Sequence, residues 1–526
     1  MPVAGLLKPN TYRDSVALMV LSTALAEAEG VLQASAMMAT PANLEILRAT
    51  GLFDGAFAAA GPNDLCIAVE ARDEAAARVA LAEAEALLAS AGRRAGVASV
   101  TTGAVRSPRT IRGAVQARPD ANIAVISVPG VYAALEARQA LVAGLNVFLF
   151  SDNVPLSDEV ELKRLASERG LLVMGPDCGT ALIAGAPLGF ANAVRRGAIG
   201  VVGSSGTGLQ EVTSLIHRTG EGVSHAIGTG SRDLYPEVGG LSFLAAVDAL
   251  TADPETRVLV GIAKPGDPAV QERVLARLRA SGKPAVVYFL GGNQPIPDPS
   301  PSQGQVVVAS DLEHAAHCAA ALARGETPPD HPEQHQTDAL AAEIVARLRP
   351  GQLAVRGLFA GGTLAQEAAA SVARALGVDP HAVAGDRPGE VLRIGRHSIL
   401  DLGDDAYTRG RPHPLIDPRL RNAELIQQAA SGEVALFVLD VILGYGLHPE
   451  PAHALAPALM EAREAAEAAG RPFEVVASLC GTEDDPQPYQ QTRAVLEHYG
   501  VRVARSSSMA ASVAGRVAAS LAEAMR

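Results

Sequence analysis

Short apolar runs alternate with amphipathic stretches along most of the chain. The runs at Val223–Gly228, Val258–Ile262 and Ala285–Phe289 are bounded by turn-forming residues, which is typical of buried strands. Between them, apolar residues recur with the spacing of one helix face. Regular alternation of strand and helix predicts parallel sheets covered by helices, so we expect an α/β protein.

Changes in this pattern divide the chain into several domains. Its 526 residues are enough for three or four domains of ordinary size. We expect a small N-terminal α/β domain without catalytic residues, a Rossmann-like domain, a third α/β domain, a polar linker and a last α/β domain. Their predicted limits are residues 1–95, 96–195, 196–323, 324–337 and 338–526.

A glycine-rich turn follows the apolar run at Gly197–Val202 and precedes a helical pattern. Its residues Ser204, Ser205, Gly206, Thr207 and Gly208 would open the helix. Free N–H groups and the helix dipole make such a helix start a binding site for anions. The turn could also serve only to reverse the chain, but its hydroxyl groups favour phosphate binding.

Two further turns have the same form in the last domain. Gly361, Gly362 and Thr363 follow a predicted strand and open a helix, and Gly444 follows the strand predicted at Val434–Leu439. We interpret all three as candidate anion sites, with Gly444 as a possible third. Helix starts in both halves of the chain suggest a small anionic substrate held between helix ends.

A dense polar loop between the second and third turns is a candidate substrate loop. Arginine presents a fork of N–H donors that suits carboxylate or phosphate. An ion-paired surface loop without function is the alternative. The candidate residues of the loop are Asp401, Gly403, Asp404, Asp405, Arg411 and His413.

Three turns of the predicted Rossmann-like domain would line one crevice, because ligands bind beyond the carboxyl ends of parallel strands. No Gly-x-Gly-x-x-Gly motif follows the first of these strands, so a dinucleotide is not indicated. Cys178 is interpreted as a packing residue, since the adjacent Asp177 would raise its thiol pKa. The crevice residues are Pro129, Gly130, Ser151, Asp152, Asn153, Pro176, Asp177 and Cys178.

Composition excludes several classes of function. The net charge of -13, 3% aromatic content and lack of tryptophan argue against nucleic-acid binding. We expect neither a membrane span nor a signal peptide. The four cysteines form no disulfide or metal pattern, and His331 and His335 lack further ligands, so no metal site is predicted. These features predict a cytoplasmic protein.

The order of the motifs resembles that of succinyl-CoA synthetase. Gly175–Cys178, Gly203–Thr207 and Ala226–Gly230 are similar to three consecutive segments of its α subunit. The later motifs are similar to the ligase domain of its β subunit, which the resemblance places in the last third of the chain. They are Gly361–Ala365, Leu400–Gly403 and Cys480–Glu483.

Over its whole length the chain resembles the FdrA-type family, a fused relative of that synthetase. The motifs at Thr40–Asn43, Gly175–Thr180, Gly206–Val212 and Gly410–Pro414 carry this resemblance. It implies a CoA-binding Rossmann-like domain, followed by two flavodoxin-like domains of the synthetase type, at 196–323 and 338–526.

Two departures from the synthetase pattern change the expected chemistry. The synthetase carries a phosphohistidine in a Gly-His-Ala-Gly loop, but here the corresponding strand runs into Gly291–Gln294, which contains no histidine. Residues 1–95 are also too few for an ATP-grasp domain. We therefore expect no acyl phosphate to be made from ATP by this chain alone.

The family resemblance implies a reaction whose donor arrives already activated. FdrA-type proteins are associated with allantoin breakdown, where oxamate and carbamoyl phosphate interconvert with oxalurate and phosphate. The resemblance thus implies a carbamoyltransferase subunit that works with companion subunits in an oligomer, with no required cofactor and with CoA as a possible ligand. A component of an NDP-forming acyl-CoA synthetase, and a non-catalytic scaffold or CoA sensor, are the alternatives.

Overall fold

The computed structural model describes residues 2–13, 15–26, 28–97, 108–290, 305–330, 335–408, 412–468 and 470–524. Within these residues the chain forms two compact units. The smaller unit comprises residues 1–121, 127–129 and 405–417, and the larger comprises 122–126, 130–404 and 418–526. No helix among the described residues is long and apolar enough to cross a membrane.

The N-terminal region folds around a three-stranded sheet. Its order is β1-β3-β2 with antiparallel pairing, so the small domain is not built on the parallel sheet that the alternating pattern predicts. The sheet buries one apolar cluster on each face. Its elements are β1 Val3–Lys8, α1 Ser15–Ala26, β2 Val31–Met38, α2 Pro41–Ala49, β3 Leu65–Ala71 and α3 Glu74–Val97, after which α4 spans Ile111–Ala117.

A short parallel sheet in the order β4-β5-β6 follows, as expected for a Rossmann-like arrangement. Next in the chain, a hairpin of β7 and β8 pairs with a strand of the following sheet. By sheet membership the following domain therefore begins before residue 196. The elements are β4 Ile123–Ile126, α5 Gly130–Val142, β5 Asn146–Leu149, α6 Leu156–Glu168, β6 Val173–Met174, β7 Thr180–Ile183 and β8 Ala186–Gly189.

The central sheet has the order β13-β12-β11-β9-β10-β7-β8. Its parallel strands β9 to β13 follow the flavodoxin-like order 2-1-3-4-5, in which ligands bind beyond the first and third strands. The elements are β9 Arg196–Gly203, α7 Gly206–Arg218, β10 Val223–Gly228, α8 Leu241–Ala252, β11 Val258–Ala263, α9 Pro268–Ala280, β12 Ala285–Phe289, β13 Val306–Val308 and α10 Leu312–Arg324.

The last sheet repeats this topology. Its order is β15-β16-β14-β17-β18-β19, with β15 added as an antiparallel edge strand. Helix α11 begins at His335, inside the predicted linker. The elements are α11 His335–Arg347, β14 Ala354–Phe359, α12 Gly362–Ala375, β15 Glu390–Ile394, β16 His397–Asp401, α13 Asp405–Thr408, α14 Arg419–Ala429, β17 Val434–Ile442, α15 Pro451–Ala468, β18 Glu474–Cys480, α16 Tyr489–His498, β19 Arg502–Ala504 and α17 Ser507–Ala524.

Candidate functional site

The first glycine-rich turn connects β9 to α7 at the flavodoxin-like switch point. Ser205 is the N-cap of α7, and its Oγ accepts a hydrogen bond of 2.9 Å from the Gly208 amide. The Ser204 amide donates to the Ile262 carbonyl of β11 at 3.0 Å. A side-chain cap of this kind is a strong helix-start signal, which explains why the turn is visible in the sequence.

The second turn connects β14 to α12 and is held by a carboxylate of the protein itself. The amides of Ala360 and Gly361 donate to separate oxygens of Asp440 at 2.8 and 2.7 Å. Asp440 is fully buried on β17, and buried Arg421 donates to its backbone oxygen at 2.6 Å. Burial raises the Asp440 pKa, while Arg421 and the two amides oppose that rise. The Gly361 amide is therefore not available to a ligand.

The two turns lie directly against each other. We call Ser204–Gly208 and Gly361–Thr363 together the facing turns. The hydroxyl oxygens of Ser205 and Thr363 are 2.5 Å apart. A Cβ atom on Gly361 would lie 3.0 Å from Thr207 Cβ, so a side chain there would separate the turns. The starts of α7 and α12 thus form one junction between the central and last sheets.

The facing turns have a buried floor and a more accessible rim. Ser204, Ser205, Gly208, Gly361 and Thr363 are buried, whereas Gly206, Thr207 and Gly362 are half-buried. Within the described part of the chain, the rim amides donate to no protein acceptor. Such N–H groups at two adjoining helix starts can bind an oxyanion.

Lys264 is at this rim, and the sequence analysis missed it. It follows β11, and its backbone amide donates to Ser204 Oγ at 3.3 Å. Its ammonium Nζ lies 3.5 Å from the position that a Cβ atom on Gly362 would occupy. The available signal was a lysine directly after the carboxyl end of a buried strand, where ligands of α/β sheets bind.

The structure also brings Asp401 and Gly403 of the predicted substrate loop to the rim. A Cβ atom on Gly362 would collide with Asp401 Oδ2, and Asp401 Oδ1 accepts a hydrogen bond of 2.9 Å from the Gly403 amide. Burial raises the pKa of Asp401 to about 7, although Lys264 and the Gly403 amide act to lower it. Asp401 can therefore exchange a proton near neutral pH.

The other residues of the predicted substrate loop are divided between the two compact units. Asp404 ends the same segment of the larger unit as Asp401, whereas Asp405 and His413 belong to the smaller unit. Burial lowers the pKa of His413 to about 4, and its Nδ1 accepts a hydrogen bond from the Leu415 amide, so the ring is neutral at pH 7. Arg411 lies outside the described residues.

The structure does not support Gly444 as an anion site. Its amide donates to Gln487 Oε1 at 2.9 Å, and the adjacent Tyr445 amide donates to the Ala191 carbonyl. The next helix, α15, begins only at Pro451, so this turn does not itself open a helix. Gly444 is a packing position between the central and last sheets.

The predicted crevice residues of the larger unit lie close together, but the contacts between them are made by backbone atoms. A Cβ atom on Gly130 would collide with the Asp152 carbonyl and lie 2.7 Å from Asn153. The Asp177 amide donates to the Ser151 carbonyl at 3.0 Å. Pro129, which directly precedes α5, belongs to the smaller unit, whereas Pro176 lies in the larger unit and is buried. Occupation of this crevice by CoA remains a prediction.

Cys178→Ser is expected to keep at least about a tenth of the activity, because Cys178 contributes packing. The thiol is buried and donates to the Thr180 carbonyl, and burial raises its pKa to about 12. A thiol with that pKa is not a nucleophile at neutral pH. Turnover of the folded serine variant is the measurement, and complete loss in a folded protein would contradict the packing role.

His217 and His225 would be alternative carriers of a phosphoryl group, and both ring Nδ1 atoms are engaged by backbone amides. His217 is in the last turn of α7, roughly 16 Å along the helix from its start. Its Nδ1 accepts a hydrogen bond from the Arg195 amide, and His225 Nδ1 accepts one from the Ala184 amide. Gly291–Gln294, the segment for which the resemblance implies the position of the phosphohistidine loop, lies outside the described residues.

Comparison with known proteins places three family matches on this architecture. The AllF heavy metal-associated domain matches residues 1–103, the CoA binding domain matches 194–291, and the CoA-ligase domain matches 358–517. The CoA-binding match therefore contains the first facing turn and Lys264, and the CoA-ligase match contains the second facing turn and Asp401. Among the described residues, no group of His, Cys, Asp or Glu side chains is arranged to hold a metal ion.

Individual proteins are also similar to parts of this chain. The α subunit of ADP-forming succinate–CoA ligase from Staphylococcus epidermidis is 31% identical over 33% of this chain, which spans 57% of that subunit. The apo acetyl-coenzyme A synthetase 1 of Ca. Korarchaeum cryptofilum, described as dinucleotide forming, aligns with a TM-score of 0.31 and 14% identity, covering 77% of this chain and 83% of its own.

A full-length relative decides the family. The protein named "Uncharacterized protein YahF" from Escherichia coli (strain K12) is 42% identical to this chain over 97% of both. The succinyl-CoA synthetase-like domains found above lie within that full-length match. The chain therefore belongs to the YahF family, a fused, succinyl-CoA synthetase-like family with CoA-binding and CoA-ligase domains.

Proposed function

We propose that this chain is a subunit of a carbamoyltransferase that transfers the carbamoyl group between carbamoyl phosphate and oxamate, with oxalurate and phosphate as the products. The observation that carries the proposal is the junction of the two helix starts, where half-buried amides and the Lys264 ammonium lie together. This arrangement suits a phosphate that is bound and released rather than covalently carried.

The chemistry of carbamoyl transfer fits such a site. The amide nitrogen of oxamate attacks the carbamoyl carbon, and the bond from that carbon to the phosphate oxygen breaks. The electron pair of the broken bond remains on phosphate, whose increasing charge is stabilised by N–H donors and Lys264. Positioning and electrostatics then supply the rate, and no phosphohistidine is needed.

Companion subunits complete this proposed enzyme. The relatives matched here include a protein whose printed name is a subunit, and the chain covers only part of that protein. We propose a hetero-oligomer that needs no cofactor, in which the CoA-binding domain retains CoA as an optional ligand. The oxamate carboxylate would bind near the facing turns, with Asp404 of the same unit as a further candidate contact.

The test is coexpression of this chain with the products of neighbouring genes, followed by measurement of phosphate release from carbamoyl phosphate. Release that requires oxamate and is accompanied by oxalurate would support the proposal. The matched control is the same coexpression without this chain. Equal phosphate release in that control would show that this chain takes no part in the reaction.

The family matches favour a second candidate, a component of an NDP-forming acid–thiol ligase. Both a CoA-binding and a CoA-ligase domain match the chain. A ligase of this type would need a partner to provide a phosphohistidine and a nucleotide site. Formation of acyl-CoA from ATP, CoA and a carboxylic acid by the same coexpressed complex would support this ligase function.

Purified chain is expected to take up no phosphoryl group from labelled ATP or GTP, with or without CoA and succinate. The physical reason is that residues 291–304, after β12, contain no histidine. The test is to quench labelled samples in acid and in base and to measure how much label the protein retains. An acid-labile phosphohistidine at His217, His225 or His413 would instead favour the ligase.

A further inference from the structure

A lysine and an aspartate, one from each flavodoxin-like sheet, approach the same glycine at the rim of the facing turns. Lys264 follows β11 and Asp401 ends β16, so both lie at carboxyl ends of parallel strands. Both also approach Gly362, because a Cβ atom there would collide with Asp401 Oδ2 and lie 3.5 Å from Lys264 Nζ. The glycine allows the carboxylate and the ammonium to share the start of α12.

We propose that Lys264 and Asp401 form the proton-transfer pair of the phosphate site, in which Lys264 binds a phosphate oxygen and Asp401 exchanges a proton with the reacting groups. This assignment rests on the proposed function for its catalytic part. Its binding part concerns only this chain and an oxyanion. An experiment can therefore contradict the binding part and the proposed function independently.

The proposed step balances without another reactant. As the oxamate nitrogen bonds to the carbamoyl carbon, Asp401 accepts a proton from that nitrogen. The bond between the carbamoyl carbon and phosphate breaks, and the phosphate leaves with the electron pair while Lys264 contacts one of its oxygens. Asp401 then returns the proton to phosphate, which regenerates the carboxylate.

The surroundings of Asp401 prepare it for this exchange. The charged groups that face it are Lys264 after β11, Asp440 on β17 and Asp404 in its own loop. Burial raises its pKa to about 7, with smaller contributions from the two aspartates, whereas Lys264 and the Gly403 amide lower it. Near neutral pH the protonated form can therefore lie beside an anion without repulsion.

Sulfate is the probe for the binding part, because it does not titrate between pH 5.5 and about 8.5, so that any pH dependence of its affinity reports on the protein. We expect its affinity for the wild-type chain to fall as the pH rises through about 7, when Asp401 ionises. Calorimetric titration of the full chain at several pH values measures this. A constant affinity across that range would overturn the role of Asp401.

The variants separate the two side chains. Asp401→Asn should bind sulfate with an affinity that no longer changes near pH 7. Lys264→Met should weaken binding by about 10- to 100-fold below about pH 7, where Asp401 is protonated in both proteins, which corresponds to the loss of one hydrogen bond to a charged group. Wild-type affinity in Lys264→Met would overturn the role of Lys264.

An exposed ion pair on the same central domain provides matched controls. Arg277 and Asp248 are each about half exposed and lie 2.9 Å apart. Arg277→Met removes a positive charge and Asp248→Asn neutralises a carboxylate, as in the two test variants. Both controls should keep the wild-type affinity for sulfate and its pH dependence, and a similar loss in the controls would assign the effect to net charge instead.

The catalytic part has a pH signature in the coexpressed complex. Carbamoyl transfer to oxamate begins with ionised Asp401 and should increase as the pH rises through about 7, and phosphorolysis of oxalurate, which reverses the same step and so also begins with ionised Asp401, should increase as well. Lys264→Met should move both profiles to higher pH, because the ammonium lowers the Asp401 pKa. Unmoved profiles would overturn the pair, whereas a complex without transfer activity would contradict only the proposed function.

Discussion

Asp440→Asn should lower the free energy of unfolding by about 3–5 kcal/mol, the cost of breaking a buried ion pair by removing one partner. Asp440 accepts from the amides of Ala360 and Gly361 through separate oxygens and pairs with buried Arg421. The carboxamide would turn an NH₂ group toward one of those amides and leave a guanidinium unneutralised. Urea unfolding and amide hydrogen exchange at Ala360 and Gly361 measure the loss.

The matched control is Asp248→Asn, which neutralises a half-exposed carboxylate paired with Arg277. We expect that change to alter stability by no more than about 0.5 kcal/mol, as for most surface substitutions. In the Asp440→Asn background, Arg421→Met should recover part of the loss, because it removes the unpaired charge. A loss no larger than that of the control would contradict the capping role of Asp440.

The role of Asp440 has a consequence for the electrostatics of the junction. Each helix start carries roughly half a positive charge, so two starts in contact repel each other unless anions lie nearby. Asp440 provides one such anion on the buried side of α12, and Asp401 approaches the same helix at the rim. The protein therefore supplies its own counter-charges, and a bound oxyanion would add to them.

The fold could be predicted well because local patterns determine most of its elements. The strands predicted at Val223–Gly228 and Ala285–Phe289 have the limits seen in the structure. The α/β class and the flavodoxin-like topology agree with the prediction made from pattern and resemblance. The antiparallel pairing of β1 and β3 was not predicted, because strand pairing depends on contacts that are distant in sequence.

The site was harder to predict for the same reason. Strand–glycine–helix turns have a local sequence signature. The side chains that accept hydrogen bonds from their amides come from elsewhere in the chain. Gly361 is capped by Asp440, and Gly444 is satisfied by Gln487. A single aspartate inside the apolar run of β17 was the available signal for the first, since buried charges need partners. Nothing local marks Gln487.

Gly206→Val should abolish oxyanion binding and reduce turnover by at least about 100-fold, as expected when a bound group is displaced by about 1 Å. Gly206 begins α7 and is half-buried at the rim. A Cβ atom would lie 3.3 Å from Thr180 Oγ1, so alanine fits after a small shift, whereas valine adds two methyl groups beside the amides that a ligand must reach. Thermal unfolding with increasing sulfate measures the binding.

The Gly206 series includes its own controls. Gly206→Ala should retain part of the stabilisation by sulfate, because its single methyl group leaves more of the rim open. Gly55→Val places the same side chain at the first residue of the three-residue 3₁₀ turn Gly55–Phe57, where no atom lies within 4 Å of the Cβ position, and it should behave as the wild type. Without sulfate, the valine variant should unfold within about 4 °C of the wild type, which would show an intact fold. If Gly206→Val is stabilised by sulfate as strongly as the wild type, the oxyanion does not bind at the facing turns, and the proposed carbamoyl transfer loses its site.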